Sequence, residues 1–250
     1  MSLLLVNGLN KITADGTGLK NISFCIEEKG VYGFLGKTGA GKSLLCGVLA
    51  GACEIDSGSI IYKGNELYLK EKQTSGIKRK IGYVPQKSFF DSDMTVFEVL
   101  DLFGKAKRVY PDKRFRQIKE ALELTGLSGK RECLVGDLSL SEKKRLSIAA
   151  ALLGNPDVII MDEPLRYLDS KQAEEIRGLI AMLGKKKVVL LFSARADDIG
   201  KMSDTVGFLH CGELILWEDT RQLMKKLDEN SLGTLDDALC ALTDNALEEN

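Results

Sequence analysis

Residues 31–43 read Val-Tyr-Gly-Phe-Leu-Gly-Lys-Thr-Gly-Ala-Gly-Lys-Ser, and this stretch decides the fold. From residue 36 onward it has the G-x-x-x-x-G-K-[S/T] spacing of a phosphate-binding loop. The apolar residues before the loop predict a buried strand, and the apolar run at residues 44–49 predicts a helix. A strand, a glycine-rich loop and a helix in this order form the context that the motif requires. The sequence therefore predicts a nucleotide-binding site here.

The chemistry of a triphosphate explains the composition of the loop. Glycines allow backbone N–H groups to curl around the phosphates, and the N-terminus of the following helix adds a positive partial charge. Lys42 can reach the β- and γ-phosphates, and the Ser43 hydroxyl can bind Mg²⁺. The residues predicted to hold the nucleotide are Gly36, Lys37, Thr38, Gly39, Ala40, Gly41, Lys42 and Ser43.

Composition excludes several classes of protein. The 250 residues are 44% hydrophobic and 28% charged, which allows a sizeable core. The net charge of −1 gives no field that would hold nucleic acid, so we expect no nucleic-acid partner. Six cysteines without a C-x-x-C pair predict a reducing cytosol and no zinc site. With no basic leader and no apolar run of about 18 residues, we expect neither a signal peptide nor a membrane span.

Apolar patterns alternate between strand and helix along the chain, which predicts an α/β fold. Short strands are predicted at residues 2–6, 21–27, 59–62, 67–69, 81–85, 158–161, 188–192 and 206–209. A helical pattern covers residues 95–154, with breaks near residues 110–112 and 126–136. The chain after Trp217 is predicted to be helical and becomes acidic toward its end.

A second motif follows downstream and reads Val158-Ile159-Ile160-Met161-Asp162-Glu163-Pro164. Four apolar residues that end in a carboxylate predict a buried strand whose tip delivers Asp162 to a metal ion. An acidic pair also occurs at ordinary strand ends, but the phosphate-binding loop upstream favours the functional interpretation. Glu163 would then accept a proton from the water that attacks the γ-phosphate, or orient that water.

Over nearly its whole length the chain resembles the ATP-binding subunit of ABC transporters. Five motifs carry the resemblance: the phosphate-binding loop (Walker A), the Q-loop strand ending at Gln86, the signature segment at residues 138–149, the acidic strand end at Asp162 (Walker B) and the D-loop pair Leu168-Asp169. They occur in the family's order, and together they are far more specific than any one of them.

The resemblance implies an α/β P-loop NTPase of the ABC ATPase type. A single domain would span residues 1–250, with a RecA-like core, a small antiparallel β part, a helical lobe at about 87–153 and a C-terminal helical segment at about 218–250. ATP and Mg²⁺ are the implied ligands, and the implied metal site consists of Ser43, Gln86 and Asp162. Glu163, Gln86 and Asp169 would act in hydrolysis. Ser139 would contact the nucleotide held by a dimer partner.

Three departures from the family pattern bear on hydrolysis. Residues 140–142 read Leu-Ser-Glu where the family signature has Gly-Gly-Gln. Glu142 brings a negative charge toward a polyanion, and Lys143 is a candidate to offset it. Ala194 stands where the family has a histidine that contacts the γ-phosphate. No aromatic residue near residues 11–13 can stack on adenine, which leaves base recognition to apolar contacts.

These expectations combine into one functional hypothesis. The chain would couple ATP binding and hydrolysis to transport by a separate membrane permease, as a homodimer or with a paralogous ATPase, on the cytoplasmic face of the membrane. A short segment at residues 233–243 resembles ABC-2-type exporters and favours export over import. The apolar residues after Gln86, among them Phe89 and Phe97, either pack inside the helical lobe or form the docking surface for the permease. Two alternatives stay open: a nucleotide-gated regulatory subunit with little hydrolysis, and a soluble ABC ATPase that serves no transporter.

Overall fold

The computed structural model describes residues 2–68, 76–229 and 234–238, in which helices cover two β-sheets. The strands are β1 (Leu4–Ile12), β2 (Gly18–Ile26), β3 (Gly30–Leu35), β4 (Ser57–Tyr62), β5 (Asn65–Glu66), β6 (Ile81–Val84), β7 (Val158–Asp162), β8 (Val188–Ser193), β9 (Thr205–His210) and β10 (Glu213–Asp219). The helices include α1 (Lys42–Leu49), α2 (Val96–Ala106), α3 (Pro111–Thr125), α4 (Leu140–Leu152), α5 (Ser170–Gly184), α6 (Ala196–Met202) and α7 (Thr220–Glu229).

The larger sheet has the strand order β10-β9-β3-β8-β7-β6. Strands β3, β6, β7, β8 and β9 are parallel, while β10 runs antiparallel to β9. Every residue of β3, β7 and β8 is buried, because α1 packs on one face of the sheet and α5 and α6 pack on the other. The carboxyl ends of the parallel strands meet at one edge, which is where ligands bind in open α/β sheets.

The smaller sheet is antiparallel and has the order β2-β1-β4-β5. An aromatic cluster joins it to the larger sheet. The ring of Trp217 lies 5.1 Å from that of Phe24 in β2 and 5.2 Å from that of Phe34 in β3, between centroids. Phe34 stacks on Phe192 of β8 at 4.5 Å. The two sheets therefore share one hydrophobic core.

The helical lobe consists of α2, α3 and α4, inserted between β6 and β7. Its helices bury a common apolar cluster that includes Leu100, Ile118 and Leu146. A capping box starts α2: the Thr95 hydroxyl accepts the Glu98 N–H at 3.2 Å, and the Glu98 carboxylate accepts the Thr95 N–H at 2.8 Å. This cap fixes where the lobe begins after the Q-loop.

The structure confirms the α/β fold, the antiparallel β part and the strands predicted around residues 81–85, 158–161, 188–192 and 206–209. The predicted strand at residues 67–69 was wrong. The second strand of that unit is Asn65–Glu66, and the chain turns at Leu67 and Tyr68. Leu67 is fully buried and still donates its N–H to Ile60 of β4 at 2.8 Å, whereas the Tyr68 hydroxyl donates to the carbonyl oxygen of Cys53, after α1. Leu69 lies outside the described residues.

The helix predicted after Trp217 is present from Thr220 onward, but the strand that precedes it was not predicted. Trp217 lies inside β10, which continues to Asp219, and α7 begins at Thr220. The strand persists because Trp217 packs on the shared aromatic core and pairs with Gly207 of β9. Residues 230–233 and 239–250 of the predicted C-terminal helical segment lie outside the described residues, and so does most of the exporter-like segment.

Candidate nucleotide-binding site

The loop between β3 and α1 turns at two glycines. Gly39 (φ 88°) and Gly41 (φ 100°) have left-handed backbone conformations that L-residues with a side chain rarely adopt. Helix α1 begins at Lys42, so the N–H groups of its first turn, which have no partner within the helix, lie at the loop. This local geometry produces an anion-binding helix N-terminus.

The Lys42 ammonium group lies at the centre of the loop. Its Nζ donates to the carbonyl oxygens of Gly36 at 2.6 Å and Lys37 at 3.1 Å. It also lies 3.8 Å from Oε1 of Glu163. Burial lowers the pKa of Lys42, and the neighbouring carboxylates of Glu163 and Asp162 oppose that shift. The structure thus gives the cation of the loop a carboxylate partner, Glu163, that the motif alone did not predict.

Asp162 ends β7, next to the phosphate-binding loop. Its side chain is 2% exposed, and within the described part of the chain its Oδ1 atom has no hydrogen-bond partner. A buried carboxylate oxygen without a partner is costly unless a cation or a donor joins it. Ser43 and Gln86 line the same cleft, so a hydroxyl, an amide and a carboxylate offer oxygen donors there of the kind that Mg²⁺ prefers. These residues therefore fit the predicted metal ion.

Hydrogen bonds from the carboxyl end of the neighbouring strand β8 hold the Glu163 side chain. Its Oε1 accepts the Ala194 N–H at 2.8 Å, and the Ser193 hydroxyl donates to its Oε2 at 3.4 Å. Glu163 itself has a left-handed backbone (φ 47°), which turns its side chain back toward the sheet edge. Burial raises the pKa of the Glu163 carboxyl, while the Lys42 ammonium opposes this. A raised pKa suits a carboxylate that takes a proton during catalysis.

A cleft of 670 Å³ at the carboxyl edge of the larger sheet brings these groups together. Its lining contains loop residues and the acidic strand end: Thr38, Gly39, Gly41, Lys42, Ser43, Gln86, Asp162, Glu163 and Arg166. The opposite wall comes from the turn between β1 and β2 and from residues 211–212. The cleft thus unites three of the five motifs of the sequence, Walker A, the Q-loop and Walker B.

The Q-loop is fixed from the helical lobe by a buried cation. The Nζ of Lys144 in α4 donates to the carbonyl oxygens of Gln86 at 3.1 Å and Pro85 at 3.4 Å. Lys144 is 6% exposed, and burial lowers its pKa, opposed by the charges of Asp162 and Glu163. Sequence reasoning missed this residue because Lys in a charged run predicts a solvated surface.

Ser139 and Asp169 do not line the cleft. Each begins a helix: the Ser139 hydroxyl accepts the Glu142 N–H at 3.3 Å at the start of α4, and Asp169 Oδ1 accepts the Gln172 N–H at 2.8 Å at the start of α5. Their predicted roles toward nucleotide therefore do not arise within one copy of the chain.

The signature segment also differs from expectation in its electrostatics. The Glu142 carboxylate accepts the Ser139 N–H at 2.8 Å, which completes a capping box. It pairs with Lys130 at 3.3 Å, and not with Lys143 as the sequence suggested. The Ser-x-x-Glu spacing was a readable local signal for this role. Glu142 therefore serves the start of α4 and is already neutralised by a cation.

The wall of the cleft formed by the β1–β2 turn is polar, and recognition of the base by apolar contacts stays a prediction. That wall consists of the polar or small residues Thr13, Asp15, Gly16, Thr17, Gly18 and Lys20. Ile12, the apolar residue of the segment 11–13, is 66% exposed and does not line the cleft. Hydrogen bonds from Thr13 and Thr17 hold the pKa of the Asp15 carboxyl at about 2, so this wall carries a fixed negative charge.

The fold and the cleft together define a P-loop nucleotide-binding ATPase. The sequence model of the ABC transporter family matches residues 19–166, more than half of the chain. The chain belongs to this family: it is an ATP-binding subunit that energises an ABC transporter by ATP hydrolysis. Such ATPases work with a transmembrane permease. In the described ranges no helix has the length and apolar character needed to cross a membrane.

Similar proteins include two from Bacillus. The chain is 32% identical to the bacitracin transport ATP-binding protein BcrA of Bacillus licheniformis, over 86% of this chain and 69% of BcrA. It is 28% identical to the linearmycin resistance ATP-binding protein LnrL of Bacillus subtilis, over 92% of this chain and 73% of LnrL. Among solved structures it is similar to cbiO1 of Clostridium perfringens, part of the ABC transporter complex cbiONQ. That similarity has a TM-score of 0.77 and 27% identity, covering 91% of this chain and 94% of cbiO1.

Proposed function

We propose that this chain, as one ABC ATPase domain, binds ATP with Mg²⁺ and drives export through a permease at the cytoplasmic face of the cell membrane. The meeting of Lys42, Asp162 and Glu163 in one cleft carries this proposal. These groups are the cation, the metal-ligating carboxylate and the base that phosphoryl transfer to water requires.

The residues of the cleft have separable roles in hydrolysis. Mg²⁺ held by Ser43, Gln86 and Asp162 would neutralise charge on the phosphate oxygens. The Lys42 ammonium binds the β- and γ-phosphates with charge-assisted hydrogen bonds. Glu163 accepts a proton from the attacking water, and the Ala194 N–H holds its carboxylate in place.

Ser139 and Asp169 support an arrangement in which two copies sandwich ATP head to tail. Both side chains are exposed at the N-termini of helices and lie outside the cleft of their own chain. A second copy, or a paralogous ATPase, would bring the N-terminus of its α4 to the γ-phosphate, where the helix end attracts negative charge.

Two observations support export through a permease. BcrA is named for bacitracin transport and LnrL for linearmycin resistance. On the surface, Phe89 is 91% exposed directly after the Q-loop, whereas Val96 and Leu100 are buried in the helical lobe. Phe89 is therefore the apolar residue of this segment that suits contact with a membrane subunit.

A regulatory subunit with little hydrolysis is the second candidate. Ala194 supplies no cation at the end of β8, and Leu140 is 50% exposed at the first position of α4, where glycine would let backbone groups approach a phosphate closely. Such a subunit would bind ATP and dimerise but would depend on a paralogue for turnover.

Co-purification tests the two candidates against each other. The chain is expressed with the multi-span membrane protein encoded beside its gene, and ATP turnover of the complex is compared with that of the isolated chain. Stimulated turnover that Glu163→Gln abolishes supports the transport ATPase. A stable complex without turnover supports the regulatory subunit. Failure to associate with any membrane protein contradicts both candidates and favours the remaining alternative, a soluble ABC ATPase that serves no transporter.

A further inference from the structure

Arg166 lines the nucleotide cleft with a positively charged side chain, and the sequence motifs did not predict this residue. It follows the acidic strand end by a tight turn, in which its N–H donates to the carbonyl oxygen of Glu163 at 3.2 Å. It lines the cleft together with Lys42, Gln86 and Asp162. The turn therefore positions a guanidinium group beside the phosphate-binding loop.

Arg166 differs from two other cations of the cleft, Lys42 and Lys20, which each have an acidic partner. Lys42 lies 3.8 Å from Glu163, and Lys20 lies 3.7 Å from Glu213. Within residues 2–68, 76–229 and 234–238, no carboxylate forms an ion pair with Arg166. Its guanidinium group lies over the ring of Tyr167, with 4.9 Å between Cζ and the ring centroid. A guanidinium with donors to spare at an anion-binding cleft is suited to an incoming phosphate.

The backbone next to Arg166 is strained. Tyr167 has φ 67°, a left-handed conformation that costs a bulky residue on the order of 1 kcal/mol or more. Tyr167 is also largely exposed, so its burial does not explain the strain. The conformation does place the tyrosine ring beside the guanidinium, where cation–π attraction restricts the arginine. On the other side of Arg166, Leu165 is buried and anchors the turn in the core.

Arg166 shares the cleft with Lys42 and Glu163, the two groups beside which the terminal phosphate must lie. Ser193 and Ala194, on the neighbouring strand end, contribute no positive charge. Arg166 is thus well placed to balance negative charge that grows on the γ-phosphate during hydrolysis.

We propose that Arg166 binds the terminal phosphate of ATP held by its own chain and stabilises the charge of the transferring group, an inference that rests on the proposed ATPase function. The planar guanidinium can donate two parallel hydrogen bonds to phosphate oxygens, which an ammonium group cannot do. An arginine supplied in cis is an established solution to charge stabilisation in phosphoryl transfer. Arg166 would thereby be a further catalytic residue, specific for a triphosphate over a diphosphate.

Nucleotide affinity and turnover of the full-length chain test the proposal. The variants are Arg166→Gln and Arg166→Lys, with Arg116→Gln as a control, since Arg116 is an exposed residue of α3 that pairs with Glu120. Dissociation constants for ATP and for ADP are measured with Mg²⁺ by competition with a fluorescent nucleotide. We expect Arg166→Gln to weaken ATP binding about tenfold and ADP binding less than twofold. We expect its kcat to fall about 10²-fold, with partial recovery in Arg166→Lys.

The outcomes separate this inference from the proposed function. Equal weakening of ATP and ADP binding would show that Arg166 acts only through the general field of the cleft, and unchanged affinities would show that it does not meet the phosphate. Either result overturns the inference while the ATPase function stands. If the unmodified chain binds neither ATP nor ADP, both are wrong.

Discussion

The Lys42 ammonium group lies 3.8 Å from the Glu163 carboxylate, with both side chains largely buried. The γ-phosphate of ATP must take its place beside this pair, and it then competes with the carboxylate for the ammonium group. Negative charge near Glu163 disfavours its ionised form and strengthens it as a proton acceptor. Binding and base activation are therefore linked through one ion pair.

Glu163→Gln should separate binding from hydrolysis. The amide oxygen can still accept the Ala194 N–H, so the local geometry is kept, but the side chain can no longer accept a proton. We expect kcat to fall by about 10²- to 10⁴-fold and any ATP-dependent dimer to persist. Size-exclusion chromatography with ATP and Mg²⁺ measures the dimer. Glu120→Gln, on the exposed face of α3, serves as the control. Loss of nucleotide binding in Glu163→Gln would instead assign Glu163 a structural role.

Lys144→Met tests whether the helical lobe positions the Q-loop. The substitution keeps most of the buried volume but removes the donor to the carbonyl oxygens of Pro85 and Gln86. We expect kcat to fall about tenfold while ATP affinity changes less than twofold, because the proposed role of Gln86 is toward the water and the metal ion and not toward the adenosine. The stability change should stay within about 1 kcal/mol, since loss of a desolvated charge offsets the loss of its hydrogen bonds.

Turnover, ATP affinity and thermal unfolding are measured together for this variant. Lys119→Met, at an exposed position of α3, is the matched control. A parallel loss of ATP affinity and of thermal stability would show that Lys144 supports the fold as a whole. Unchanged turnover would show that the Q-loop does not need it.

The sequence predicted those parts of the molecule that depend on local pattern. The runs at β3, β7 and β8 are apolar throughout because helices bury both faces of the sheet, and the glycines of the phosphate-binding loop match its left-handed turns. Strand β10 was missed although residues 214–217 form an apolar run as long as that of β7, because a short apolar run does not by itself distinguish a strand from a helix. Its stability depends on Trp217 meeting Phe34, which lies far away in the sequence.

In the candidate site, too, the sequence indicated the residues of local motifs but not those that tertiary contacts bring there. Lys42, Ser43 and Asp162 belong to contiguous motifs, so their spacing identified them. Lys144 and Arg166 acquire their positions from tertiary contacts: one reaches across to the Q-loop from the helical lobe, and the other depends on the turn after β7. A charged side chain in a polar stretch gives no sign of either, because the same pattern is typical of solvated surface.

Restoring the family residues should raise turnover, which we expect to be slow in the isolated chain. Ala194 is exposed and its N–H already contacts Glu163, so Ala194→His adds a donor beside the γ-phosphate without displacing core residues. We expect kcat to rise about tenfold, since a preorganised donor at this charge is worth on the order of 10² when removed. Steady-state ATPase measurement at saturating ATP checks this.

The signature variant is measured alone and combined with Ala194→His. Leu140→Gly, Ser141→Gly and Glu142→Gln place two glycines in the first turn of α4, which costs about 1 kcal/mol each, while the Gln keeps the cap. Thermal unfolding therefore accompanies the assay. Rapid hydrolysis by the unmodified chain that none of these changes affects would show that charge at the γ-phosphate is stabilised by another route.

Titration of the chain with a fluorescent ATP analogue, for the unmodified protein and for Lys42→Ala, tests the central claim most directly. The claim is that ATP binds in the cleft through the ammonium group of Lys42. Lys119→Ala is the control, because it removes an exposed ammonium group of α3 that lies outside the cleft and pairs with Glu123. We predict a dissociation constant on the order of 10 μM for the unmodified chain, at least about 100-fold weakening in Lys42→Ala, and an unchanged far-ultraviolet circular dichroism spectrum. Equal affinity of Lys42→Ala and the unmodified chain would contradict the account.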